Sequence, residues 1–458
     1  MQLIEPKIAP PLDGSFRPAV LANRNFLRAI ETIGVKAVIG IERSDGEFSR
    51  FETKVYPEDH LNFKFNLQYV ERIVKFLLWQ RGGHALYIGG SSRIADHIRE
   101  VYSASGAQKF DHQFMGNQVY EKEFTVISCA TNEVPAARET GKALGRNLKG
   151  NRIGFDLGAS DRKVSAVVNG NPIYSEEVIW EPRKNSDPEY HYREVMSALK
   201  TAASKMSGVD AIGGSSAGIY VNNRPMVASL FRGIPQEKFG AIKNMFLRIR
   251  DELKVPLEVI NDGDVTALAG SMAIEDNGIL GIALGSSEAA GYVNMEGHIM
   301  GWLNELAFAP IDYSPNAPVE EWSGDKGCGA SYFSQQCVFR LAPKAGIEIP
   351  ANATDAERLK FVQDKLEAGD KGALKIWQSM GIYLGYGIAH YADFYDIKHV
   401  LILGRCTSGR GGDLLIEGAQ KVFEAEFPEL LSKIKLHLPD EKIRRVGQSV
   451  AAASLPIT

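Results

Sequence analysis

Residues 151–168 read NRIGFDLGASDRKVSAVV. The pattern predicts a strand, a tight glycine-containing turn and a second strand. Ile153 and Phe155 are the apolar positions of the first strand and Asp156 stands at its end. Gly158-Ala159-Ser160 allows the turn, and Val164, Ala166 and Val168 alternate into the second strand. Such a turn offers backbone N–H groups and a hydroxyl to an anion. An acidic side chain at the strand end can hold a hydrated Mg²⁺. An ordinary glycine hairpin has the same local pattern, so the rest of the chain has to decide.

Working outward, the chain has 458 residues, which sets a soft prior of about three domains. An apolar fraction of 44% and 45 glycines suit a large α/β protein with ample core. Lys plus Arg is 52 and Asp plus Glu is 56, a near-balance that argues against a dedicated nucleic-acid binder. Cys129, Cys328, Cys337 and Cys406 are too sparse for a disulfide framework and include no CxxC, so the chain reads as cytoplasmic. MQLIEPKIAPPLDG lacks the apolar core of a signal peptide. No apolar run reaches the roughly 18 residues of a membrane span.

The stretch KAVIGIERSDGEFSRFETKVYP predicts a hairpin turning at Ser44-Asp45-Gly46. A helix (QYVERIVKFLLW) and a strand, turn and helix (HALYIGGSSRIADHIREVY) follow. After residue 151 the same order returns: IGFDLGASDRK, the helix YREVMSALKTAASKM, then VDAIGGSSAGIYV. The two IGGSS stretches suggest an internal repeat of one α/β unit, with common Gly-Ser turns as the rival explanation. Residues 131–150 are expected to form a helix and a polar connector, and KFGAIKNMFLRIRDEL one long amphipathic helix. The short strand LEVI runs into Asn261-Asp262, and GILGIALGSSEAAGYV is another strand, turn and strand. A helix rich in small residues (ALKIWQSMGIYLGYGIAHY) leads to the strand HVLILG.

Three Gly/Ser turns at strand ends, with an acidic strand end between them, resemble the sugar-kinase branch of the actin-like ATPase superfamily, and more narrowly the ROK family. The residues that carry the resemblance are DLGAS at 156–160, VINDGDVTALAG at 259–270, IALGSSEAAG at 282–291, LNELAF at 303–308, GCGASYFSQQC at 327–337 and GYGIAHYADFYDIKHVLILG at 385–404. It covers about residues 150–450. It implies an α/β fold of two actin-like (ribonuclease H-like) lobes around a cleft. The expected divisions are an N-terminal α/β region at 1–150, itself a possible actin-like repeat, a first lobe at 151–270 and a second at 271–458.

The resemblance also implies an ATP-dependent, glucokinase-like phosphorylation of a hexose or related sugar hydroxyl, with Mg²⁺. Asp262 would be the general base, Asn261 and Glu305 would bind sugar hydroxyls along with Asp262, and Asp156 would hold the Mg²⁺ through its water shell. Ser160, Ser286 and the backbone at Gly158 and Gly285 would cradle phosphates, and Gly404 would let adenosine approach the backbone. Asp262 has a plainer reading as a helix N-cap, and Glu305 as a surface carboxylate.

The chain departs from the family pattern in three places. Phe308 stands where the Gly-Glu-x-Gly-His segment has its His. The Cys-x-Cys-Gly zinc ligands are absent, so no structural zinc is expected, and Cys328 and Cys337 read as buried thiols. Asp161 and Glu288 add negative charge directly after the two phosphate loops. They would oppose a triphosphate unless they turn away, reach a metal ion, or, for Asp161, are neutralised by Arg162 and Lys163. The alternative reading is therefore a catalytically disabled sugar- or nucleotide-sensing regulator on the same fold. Repressors of the family carry an N-terminal helix-turn-helix, whereas this N-terminal region is strand-rich. Neither a nucleic-acid nor a membrane partner is expected, and a homodimer is a family expectation only.

Overall fold

Val35–Glu42 (β1) and Phe48–Val55 (β2) pair antiparallel. The turn between them needs left-handed backbone at Asp45 and Gly46, residue types that tolerate it. The helix Lys64–Arg81 returns the chain to Ala85–Gly89 (β3), and the helix Ser92–Val101, capped by Ser91, leads toward Thr125–Cys129 (β4). The sheet order is β2-β1-β3-β4. The computed structural model describes residues 1–139, 144–440 and 447–457.

The second sheet grows from the 151–168 stretch. Asn151–Leu157 (β5), Asp161–Val168 (β6) and Asn171–Ile179 (β7) form an antiparallel meander. Ala211–Ser216 (β8) lies parallel to β5. Ile219–Val221 (β9) and Arg224–Val227 (β10) make a small hairpin, and Leu257–Asn261 (β11) lies parallel to β8. The order β11-β8-β5-β6-β7 is that of a ribonuclease H-like lobe. On one face, Phe155, Val164 and Ile212 pack with Leu199 of the helix Pro188–Ala203 and Phe246 of the helix Met245–Leu253.

The other face is crossed by the helix Gln448–Ala453. Its backbone comes so close to β5 and β8 that a Cβ on Gly154 would meet the Ser449 carbonyl, and one on Gly213 the Ala452 carbonyl. These strand glycines exist for that close approach.

The third sheet has order β13-β12-β14-β15, from Ile279–Leu284 (β12), Glu288–Val293 (β13), His399–Leu403 (β14) and Lys435–His437 (β15). Against it lie the helices Lys371–Tyr391 and Arg410–Glu426. Their small residues let them touch: a Cβ on Gly381 would lie 3.0 Å from the Gly418 Cα, and one on Gly385 3.0 Å from the Ala419 Cα.

The chain forms two compact units. One comprises Met1–Thr140, Ile282–Ala290 and Trp302–Leu438, and the other Gly141–Gly281, Gly291–Gly301 and Pro439–Thr458. The N-terminal segment is thus built into the same unit as the last third of the chain rather than standing as a region of its own. Asp13, buried, accepts the Tyr383 hydroxyl at 2.7 Å and pairs with Arg340 at 3.3 Å. A carboxylate so partnered fixes the N-terminal arm against the helix Lys371–Tyr391.

Three expectations about local structure change. The two IGGSS stretches share an element order but not a position. The first ends β3 and caps a helix, whereas the second is strand β8 itself. Moreover, β1 pairs antiparallel with β3 where β5 pairs parallel with β8, so residues 1–139 do not repeat the lobe's pairing. The expected helix over 238–253 breaks at Asn244, whose ψ of 0° lies outside the helical range. No helix forms within 131–139 or 144–150; residues 140–143 of that expectation lie outside the described residues.

Candidate functional site

The expected site residues fall into two groups, one in each unit. In the unit containing β5, the parallel register sets Asp156 beside Ser215. The Ser215 hydroxyl donates to Asp156 Oδ1 at 2.6 Å, and both residues are buried. Burial pushes the Asp156 carboxyl up to about 6, helped by the nearby charges of Asp262 and Asp161 and opposed by the Ser215 hydrogen bond and by Lys163. Two further carboxylates, Asp262 and Asp161, thus bear on Asp156 around the end of β5, with Lys163 as the cation acting on it.

Asp262 opens the helix Asp262–Ile274, but the cap is Asn261. The Asn261 side chain accepts the Gly263 N–H at 2.7 Å and donates to the Gly218 carbonyl at 2.8 Å. One N–H and one lone pair of its amide are therefore committed to structure, and a second of each remains. Asp262 is relieved of the capping duty that its position suggested. Desolvation raises its carboxyl above the ordinary range, and the N–H groups of Gly263 and of Asp262 itself pull the other way. Tyr220, which donates to Ser216 at 2.6 Å, lies within its electrostatic reach.

The turn after β5 closes on itself. The Gly158 N–H donates to the Asp161 carbonyl at 2.9 Å, while Trp180 donates its indole N–H to the Gly158 carbonyl at 2.8 Å and its backbone N–H to Ser160 at 3.1 Å. The Gly158 N–H is thus spent within the hairpin, and Ala159 and Ser160 are the residues exposed at its tip. Asp161 folds back over the turn, its carboxylate accepting the Ser160 hydroxyl at 3.2 Å. Arg162 and Lys163 do not neutralise it; they pair with Glu194 at 3.0 Å and Glu177 at 3.8 Å.

In the other unit, β12 and β13 enclose the second turn. Here too the glycine N–H is used internally, Gly285 donating to the Ser287 carbonyl at 3.1 Å. Ser286 and Ser287 are exposed. A Cβ on Gly285 would meet only the Ser287 carbonyl, at 3.6 Å, so the protein's own packing does not demand glycine there. Gly404 is the opposite case. Its φ is 99° and a Cβ would fall 2.5 Å from the Leu284 carbonyl, so strand packing by itself requires glycine there. Glu288 points into the interior, 3% exposed, and accepts the Tyr391 hydroxyl at 3.0 Å.

Glu305 is half-buried at a turn fixed by backbone bonds: its N–H donates to the Trp79 carbonyl at 3.0 Å, and that of Asn304 to Gln80 at 2.9 Å. Asn304 takes left-handed backbone, φ 51°. Phe308 stacks on Trp79 with ring centroids 4.2 Å apart. Near Gly327-Cys328, Asp325 is held by Arg72 at 2.8 Å and by fully buried Lys75 at 3.7 Å; Lys75 also pairs with Asp111 at 2.8 Å. Cys328 and Cys337 are fully buried, and burial pushes both thiols up, so neither is a ready thiolate ligand. Among the described residues no group of three His, Cys, Asp or Glu side chains is placed to hold a metal ion.

The residues that sequence reasoning missed are Ser215, Trp180 and Tyr391. Only Ser215 left a trace, in the second IGGSS, once β8 is laid beside β5.

The fold is an actin-like α/β fold, and it is the one shared by ROK proteins. The ROK hexokinase from Thermus thermophilus superposes with a TM-score of 0.52 over 67% of this chain and 97% of its own, at 16% identity. A ROK family transcriptional regulator, a homologue of the E. coli MLC protein, does so with a TM-score of 0.51 over 67% and 78%, at 17% identity. By sequence, the chain is 26% identical over 190 residues to a glucokinase of Halalkalibacterium halodurans, a match that takes in 39% of this chain and spans 57% of that relative's length. No family model matches the chain. No helix among the described residues is long and apolar enough to cross a membrane.

Proposed function

We propose that this chain is a sugar kinase, transferring the γ-phosphoryl of Mg·ATP to a hydroxyl of a hexose or related sugar in the manner of a glucokinase. The observation that carries the reading is Asp262: a half-buried carboxylate at a helix start, with the cap supplied by its neighbour and its proton affinity raised by desolvation. A general base needs that combination of availability and tuned basicity. Asp262 accepts the proton of the attacking hydroxyl as it hydrogen-bonds the sugar, and Glu305 takes a second sugar hydroxyl. Asn261 holds the helix start in place and offers its second N–H to a sugar hydroxyl.

The Asp156 carboxylate, with the Ser215 hydroxyl beside it and Asp262 and Asp161 nearby, fits Mg²⁺, which keeps most of its waters and takes few protein ligands. Asp156 would hold it through that water shell. When bound, Mg²⁺ neutralises charge on the transferring phosphoryl group. The exposed Ser160 and Ser286 hydroxyls would meet phosphate oxygens, and the open space beside Gly285 admits a ligand close to the backbone.

One observation favours the second reading, a sensor that binds without turnover. The Gly158 and Gly285 N–H groups are both engaged within their turns, which removes two donors from a phosphate cradle. The fold itself is common to a kinase and a regulator, so it does not choose. A panel of hexoses and amino sugars with Mg·ATP, following ADP release and, in parallel, binding by calorimetry, separates the two. Sugar-dependent ADP release supports the kinase; sugar or nucleotide binding without release supports the sensor.

A further inference from the structure

Glu288 has no part in the reaction just described, yet it is among the most completely buried carboxyls in the chain. Oε1 accepts the Tyr391 hydroxyl, and Oε2 has no hydrogen-bond partner among the described residues. Oε2 and the Leu306 carbonyl both press on the space that a Gly329 side chain would fill. The titratable groups facing this carboxyl are Tyr391 of the helix Lys371–Tyr391 and Glu305 of the preceding turn; Tyr395 and Cys328 face Tyr391 in turn. None of them is a cation. A carboxylate buried without a cation is too costly to persist, whereas a neutral acid needs only an acceptor for its O–H. The Leu306 carbonyl, which accepts one bond from the Ala309 N–H, has a second lone pair to offer.

We infer that Glu288 is a neutral carboxylic acid and a positioning residue. Its O–H, donated toward the Leu306 carbonyl, fastens the strand after the second phosphate turn to the turn that presents Glu305. The role in turnover rests on the kinase reading; the protonation state and the fastening do not. Burial pushes the Glu288 carboxyl from its ordinary 4.5 up to about 8, which agrees with the neutral form at neutral pH. Ionisation replaces the O–H donor with a second acceptor, places like charge nearer Glu305 and lets the two turns part.

The test compares wild type with Glu288→Gln, which keeps an N–H donor, and Tyr391→Phe, which removes the bond that favours the ionised form. In infrared difference spectra at pH 7, wild type should show a protonated carboxyl band that Glu288→Gln lacks. Because the folded-state pKa is raised, wild type should lose stability relative to Glu288→Gln as pH climbs from 4.5 to about 8, and no further above it. Amide exchange at residues 304–309, corrected for intrinsic rate, should quicken in wild type above about pH 8 and not in Glu288→Gln. Turnover should follow the same alkaline limb, absent in Glu288→Gln and displaced upward in Tyr391→Phe. A stability difference flat in pH, or no protonated band, overturns the neutral acid. A band with unchanged exchange across pH 8 overturns the fastening role. If no sugar supports turnover in any variant, the kinase reading fails while the spectrum and the exchange still decide about Glu288.

Discussion

Ser215 donates its hydroxyl to Asp156 Oδ1 at 2.6 Å across the parallel pairing of β8 with β5. This bond holds the Asp156 carboxyl down against the burial that raises it. A hydrogen bond to a charged group is worth roughly 1.5–3 kcal/mol, equivalent to about one to two pH units. Ser215→Ala should therefore move the acid limb of activity upward by about that much, read from the pH profile of kcat/KM.

Asp156 carries a pKa of about 6 in the folded chain against an ordinary 3.8, so it weakens the fold as pH rises through that interval. Asp156→Asn should stabilise the protein above about pH 6 by on the order of 3 kcal/mol, with the gain fading as pH falls toward 4. Chemical denaturation at pH 4 and pH 7 measures it. The same variant should lose any stabilisation that Mg·ATP gives wild type.

Gly285 and Gly404 should respond differently to alanine. Gly285→Ala has room for its methyl and should keep its melting temperature while weakening nucleotide binding. Gly404→Ala combines φ 99° with a contact on the Leu284 carbonyl and should lose at least about 1–3 kcal/mol of stability. Thermal melts with and without Mg·ATP distinguish them.

Lys75 and Asp111 form a fully buried ion pair. Lys75→Met leaves Asp111 unpaired and should cost about 3–5 kcal/mol, while Lys75→Met with Asp111→Leu should recover most of it. Denaturant titration of the single and double variants is the check. This pair, with Arg72 and Asp325, braces the segment where zinc ligands would stand in the ROK pattern.

The strand-turn-strand at 151–168 and the helix start at Asp262 were legible because local alternation and turn chemistry suffice for both. The capping role of Asn261 was not legible, since Asn-Asp offers two adjacent caps and only the approach of the Gly218 carbonyl selects one. Glu288 read as a charge beside phosphate because the sequence does not show that Tyr391, over a hundred positions later, draws it inward. The IGGSS match misled for a related reason. In β8, Gly213 makes room for the helix Gln448–Ala453, a tertiary cause that a motif cannot carry.

The central claim is that Asp262 takes the proton from a sugar hydroxyl. The most direct measurement is the single-turnover rate of phosphoryl transfer in wild type and Asp262→Asn, with saturating Mg·ATP and a sugar that wild type uses. The account predicts a fall of roughly 10²–10⁴-fold with an unchanged melting temperature and retained nucleotide binding. A fall of less than about tenfold would contradict it and leave Asp262 as a structural residue at the head of its helix.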